Sequence, residues 1–196
     1  MKTNYKTARL ELEKYVFPIY DGGVIIGQGF IADGYFITAG HILKDYPFCR
    51  ININDSIKEL SKYNPFYIGE GDYHDPNVLD VVIFRFDGIN SSLHLSEYMP
   101  QKGEILESYC MHETTDQTSS NPQCRLSMEP VYSSGEEDGN YFYCNCERFD
   151  GSSGSPLLKN KEVVGIMHGG NNTGLCAFLK TIPIIHLVNY KKSNHQ

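Results

Sequence analysis

The 196-residue sequence has no tryptophan, no block of Lys or Arg, and no long apolar run. Its most apolar stretch, Val24 to Ile31, is broken at Gly27 and Gln28, far short of the roughly 20 residues that cross a bilayer as a helix. A membrane-spanning helix is therefore excluded as a reading. The 17 Lys and Arg are scattered and outnumbered by 24 Asp and Glu, for a net charge of −7, so nothing answers to a phosphate backbone. Nucleic acid is not an expected partner. Met1 to Lys14 alternates charged and polar residues where an export signal needs an apolar segment, which predicts a cytoplasmic location. With no export signal, the six cysteines are expected to be reduced thiols. Cys144 and Cys146 stand one residue apart, a spacing that suits neither a zinc knuckle nor a redox pair. No metal or cofactor is called for.

What the sequence does have is strand signal. With 40% hydrophobic and 21% charged residues it has the composition of a globular protein, and short β-branched and aromatic runs recur between Gly, Asp, Asn and Pro. These predict strands over 15–20, 24–32, 35–38, 51–53, 66–68 and 81–86, then over 104–111, 123–132, 141–146, 155–158, 163–167 and 175–179. Asp33-Gly34 between two apolar runs is a hairpin turn, because both positions want positive φ. Residues 89–103 lack a sustained period and read as a connection between two halves, 15–88 and 104–181, after an N-terminal extension, 1–14. Thr114 to Pro122 and Ser133 to Asn140 read as polar loops. Residues 182–196 predict a short C-terminal helix and tail, and weak helical turns fall at 39–43 and 56–62.

Three segments carry chemistry. In Phe149-Asp150-Gly151-Ser152-Ser153-Gly154-Ser155-Pro156 a hydroxyl sits in a tight, glycine-flanked turn leading into an apolar strand. Such a turn aims the Gly151 and Ser153 N–H groups at one point beside the Ser153 oxygen, as an oxyanion requires. Thr38-Ala39-Gly40-His41 ends an apolar strand in small residues and an imidazole, and Asp80 heads the apolar run Val81 to Phe86, placed to be buried and to hold a histidine N–H. Nucleophile, base, orienting acid and oxyanion donors are the parts of metal-free amide hydrolysis.

Together these residues resemble the chymotrypsin-like, or trypsin-like, serine proteases, particularly their disulfide-poor bacterial and viral branches, over about residues 16–188. The order His, Asp, Ser is theirs. The resemblance implies an all-β fold of two packed six-stranded antiparallel β-barrels, a triad of His41, Asp80 and Ser153, an oxyanion hole from Gly151 and Ser153, and endopeptidase activity through an acyl-enzyme. It makes Val163 to Gly170 the strand that pairs with an extended polypeptide substrate, with Met167, His168, Gly169 and Gly170 as substrate-binding residues. Glutamate-specific and picornaviral relatives have a His where this chain has Met167. His168 lies one residue on and faces the other way, either toward Asp80 and His41 or into packing, so cleavage after Glu or Gln does not carry over. At the pocket floor Glu147 and Asp150 favour a basic side chain and Arg148 an acidic one. Secreted relatives have an Asp before the nucleophile to receive a new N-terminus, whereas this chain has Ser152. The expectation is an enzyme competent without trimming, or one controlled by a regulatory protein through the loops at 114–122 or 133–140. The competing reading is a silent, protease-shaped module that binds extended peptides. An esterase on the same triad is disfavoured by the scarcity of helix.

Overall fold

The computed structural model describes residues 12–53, 55–86, 93–114, 123–146, 150–170 and 174–193. Its first half is an antiparallel sheet of β1 (Val16–Asp21), β2 (Val24–Ala32), β3 (Tyr35–Thr38), β4 (Arg50–Ile53), β5 (Ser56–Glu59), β6 (Tyr67–Ile68) and β7 (Val82–Arg85), in the order β5-β4-β1-β2-β3-β7-β6. The β2–β3 hairpin forms where expected, with Asp33 at φ 50° and Gly34 at φ 80°. A short helix α1 (Gly40–Asp45) follows β3. Where a weak helical turn was expected, Ser56–Glu59 pairs with β4 as a strand, and only Leu60–Lys62 winds into a 3₁₀ turn. Tertiary pairing overrides the local preference there.

The second half contains β8 (His94–Leu95), β9 (Ile105–Thr114), β10 (Gln123–Asp138), β11 (Tyr141–Asn145), β12 (Pro156–Lys159), β13 (Glu162–Gly170) and β14 (Leu175–Lys180). Pairing of β12 with both β9 and β13 closes β12-β9-β10-β11-β14-β13 into a six-stranded barrel. The first sheet stays an open half-barrel among the described residues. Two sequence expectations change. Part of the predicted connection forms β8, which pairs in parallel with the start of β13, and the polar segment from Ser133 is not a loop but the far end of β10, turning only at Gly139-Asn140. Of the other expected loop, 114–122, Thr114 is the last residue of β9 and residues 115–122 lie outside the described residues.

Each half has its own core, Ile19, Phe36, Ile51 and Phe84 in the first and Leu106, Phe142, Leu157 and Phe178 in the second. A third cluster belongs to both: Phe30, Ile37 and Ile83 pack in it with Tyr141, Ile166 and Leu179. The C-terminal helix α2 (Ile182–Ser193) buries Ile184 and Val188 in this shared core, and its Lys191 Nζ donates to the carbonyl of Phe66 in the first half. No helix among the described residues is long and apolar enough to cross a membrane.

Candidate active site

The two halves meet along an open cleft of about 390 Å³ lined by His41, Ser153, His168, Gly169 and Gly170 among others. His41 stands in the first turn of α1, directly after the buried strand β3. The residue before it must be small, since a Cβ on Gly40 would lie 2.8 Å from the Tyr73 hydroxyl and 3.1 Å from Asp80 Oδ1. Asp80 is brought beneath the histidine by β7, which pairs with β3. Its carboxylate is wholly buried and is paid for by donors: the main-chain N–H of His41 donates to Oδ1 at 2.7 Å, and His41 Nδ1 donates to Oδ2 at 2.6 Å.

A second histidine shares that oxygen. His168, on β13, donates from Nδ1 to Asp80 Oδ2. Its ring meets the His41 ring edge-on, with centroids 5.5 Å apart, and rests 5.0 Å from the ring of the buried Tyr141. Burial acts to raise the Asp80 pKa, but the hydrogen bonds and charges of His168 and His41 outweigh it and bring the carboxyl from 3.8 down to about 2. An ionised carboxylate only accepts, so both imidazoles carry their proton on Nδ1, which leaves Nε2 of neutral His41 as a base. The three ligand atoms lie within 4.8 Å of one another. A cation held at about 2.0 to 2.1 Å by each would set neighbouring ligands roughly 3.3 Å apart, wider than the 2.6 Å between His41 and Asp80. The spacing suits shared protons. Tyr141 itself is pushed up, by burial first and then by the Asp80 charge.

Ser153 enters the cleft from the turn before β12, and its hydroxyl donates to the His168 carbonyl at 3.3 Å. The turn is held on every side: Gly154 N–H donates to Met167 O at 2.7 Å, Ser155 N–H to Ser152 O at 3.1 Å, and Gln28 N–H to Ser153 O at 2.7 Å. Gly151 and Gly154 both have φ of 82°. Among the described residues, neither the Gly151 nor the Ser153 amide donates to a backbone carbonyl.

The remaining sequence candidates separate. Gly169 and Gly170 line the cleft beside His168, while the Met167 side chain is buried in the core of the second barrel and contributes only its main chain. Asp150 is exposed and is not part of the cleft lining; Glu147 and Arg148 lie outside the described residues. The reduced-thiol expectation fails at one pair. Cys146 and Cys176 form a disulfide, Cα to Cα 6.2 Å, because pairing of β11 with β14 brings together residues 30 apart in sequence. Cys49, Cys110 and Cys144 are free and buried. Sequence reasoning missed Tyr143, Leu175 and Ala177 on one side of the cleft, and Lys44, Asp72, Tyr73 and His74 on the other. Alternation along β11 and β14 could have nominated the first set. In the second, Lys44 lies on α1, and Asp72, Tyr73 and His74 sit in a turn whose sequence carries no such signal.

No protein-family model matches the chain, and no curated protein matches it in sequence. Solved structures do. The serine protease domain of the Sesbania mosaic virus polyprotein superposes with a TM-score of 0.64 at 19% identity, covering 90% of this chain and 91% of that one. Neuropsin, a serine protease of mouse brain, gives 0.64 at 14% identity over 91% and 94%. An inactivated protease paralogue of the scabies mite gives 0.63 at 14% over 93% and 96%. The chain therefore has the chymotrypsin-like double-barrel fold, which carries both active and inactivated proteases.

Proposed function

We propose that the protein is a serine endopeptidase. The observation that carries this reading is the buried Asp80 carboxylate, which accepts both the main-chain and the Nδ1 hydrogen bonds of His41 in the cleft that also holds the Ser153 hydroxyl. That pairing fixes the imidazole tautomer and stabilises the imidazolium formed during reaction.

In the mechanism, the Ser153 hydroxyl turns from the His168 carbonyl toward His41 and gives its proton to Nε2 as Oγ attacks the peptide carbonyl. The amides of Gly151 and Ser153 receive the oxyanion. His41 then protonates the leaving amine, and a water resolves the acyl-enzyme by the same route in reverse. The substrate is an extended polypeptide lying along His168, Gly169 and Gly170 as an added strand. Ser153→Ala should lower peptidase activity by about 10⁶-fold, measured on a peptide library that also reports the residue preferred at the cut.

One observation favours the silent peptide-binding reading. Ser153 Oγ donates to the His168 carbonyl in the resting structure. A fluorophosphonate probe decides between them. Covalent labelling at Ser153 that disappears in His41→Ala supports the enzyme, and no labelling of the parent protein overturns it.

A further inference from the structure

Gln28 is wholly buried on β2, at the seam between the halves, and its amide hydrogen bonds reach out of its own sheet. Nε2 donates to Met111 O at 3.1 Å on β9 and to Gly151 O at 3.0 Å in the nucleophile turn, while Oε1 accepts Met111 N–H at 3.2 Å. Flipping the amide would aim its N–H at the Met111 N–H, so the orientation is fixed. The main chain of the same residue donates to Ser153 O at 2.7 Å, and its own carbonyl accepts the Thr38 hydroxyl at 2.5 Å.

Because a peptide unit is a rigid plane, holding its carbonyl sets where its N–H points. Gln28 grips the carbonyls of Gly151 and Ser153, the planes on either side of the one that carries the Ser153 N–H. That middle plane is held at Ser152 O by Ser155 N–H. The turn is thus held from the first half by Gln28 and from the second by Ser155 and Met167. Ser152 offers no carboxylate for a charged latch.

Resting on the endopeptidase reading above, we infer that Gln28 is the latch of the oxyanion turn, a positioning residue that fixes the two peptide planes flanking the Ser153 amide and so holds that amide in reactive orientation without cleavage of the chain. It touches no substrate and acts through the peptide planes it anchors. A latch of this kind affects stabilisation of the oxyanion more than binding of the uncleaved peptide.

The test compares the parent protein with Gln28→Met, which keeps the length of the side chain and removes its amide. Per folded molecule, kcat on a peptide substrate should fall about 10- to 100-fold with KM within about threefold. Affinity for a peptide aldehyde, whose adduct bears the oxyanion, should fall in parallel, while affinity for the cleaved product peptide holds. A packing role alone would lower the melting temperature and leave kcat per folded molecule within about twofold, and that result overturns the latch. The parent chain supplies a second test should the variant not fold. Fluorophosphonate should add once to the full chain by intact mass, with no prior cleavage, and labelling that begins only after the chain is cut overturns the proposal. A parent that never labels, cut or uncut, overturns the endopeptidase reading itself.

Discussion

Asp80 accepts three hydrogen bonds on two oxygens, two from His41 and one from His168, and its energetics follow from that number. Its folded pKa, near 2 against 3.8, is depressed, so the stability it contributes is fully present above about pH 4 and is lost as pH falls through about 2. The shift corresponds to about 2 kcal/mol. Asp80→Asn should therefore flatten the decline in unfolding free energy between pH 5 and 2, followed by urea titration at each pH, while lowering kcat by about 10⁴-fold. Some slope should survive in that variant, because Glu104 is likewise near 2: burial would raise it, but hydrogen bonds from Lys159 and Tyr98 bring it down. His168→Ala removes one donor, so the Asp80 carboxyl should rise toward its ordinary value. Acid unfolding should then begin at higher pH, and kcat should drop about 10-fold through the loss of a hydrogen bond to a charged group. Unchanged acid unfolding in His168→Ala would show that the second imidazole contributes nothing to the carboxylate.

At the scale of elements, the turns carry the sharpest contrast. Gly34 and Gly154 share a φ near 80°, but a Cβ on Gly34 meets nothing within 4 Å, whereas one on Gly154 would lie 2.1 Å from the Gln28 carbonyl. Gly34→Ala should cost only its backbone strain, about 1 kcal/mol, and leave activity intact. Gly154→Ala should cost about 4 kcal/mol or more and abolish peptidase activity, since the backbone it strikes cannot move aside. Thermal melts alongside peptide cleavage check both. The same contrast separates what was legible in the sequence from what was not. The Asp33-Gly34 hairpin was readable because its cause is local, and the opposite facing of Met167 and His168 was readable from strand period alone. Ser56–Glu59 was not, because its strand state comes from pairing with β4. Nor was the Cys146–Cys176 bond, which depends on β11 meeting β14. Gln28 looked like an ordinary interruption of an apolar run, and its partners lie 83 and 123 residues away.

On the scale of the whole molecule, the cleft is the open edge of a shared core. Phe30 and Ile37 from one half and Tyr141 and Ile166 from the other pack in a single cluster. Around Asp80 the halves are also stapled by polar contacts: Asn140 N–H donates to Pro76 O at 2.8 Å, Asn140 Nδ2 to Asn77 O at 2.7 Å, and the Tyr141 hydroxyl to Val78 O at 3.2 Å. Neither half can open without exposing the apolar surface of the other, so the two should unfold as one cooperative unit despite their separate sheets. Phe30→Ala, which empties a fully buried site in that shared cluster, should lower unfolding free energy by about 3 to 5 kcal/mol. In urea, the near-ultraviolet signal of the 14 tyrosines, which are spread over both halves, should fall at the same midpoint as the capacity to label Ser153, in the parent and in Phe30→Ala alike. A labelling midpoint clearly below the tyrosine midpoint would mean that the halves part before either melts, and that the grouping of side chains in the cleft depends on a docking step weaker than the fold of each half.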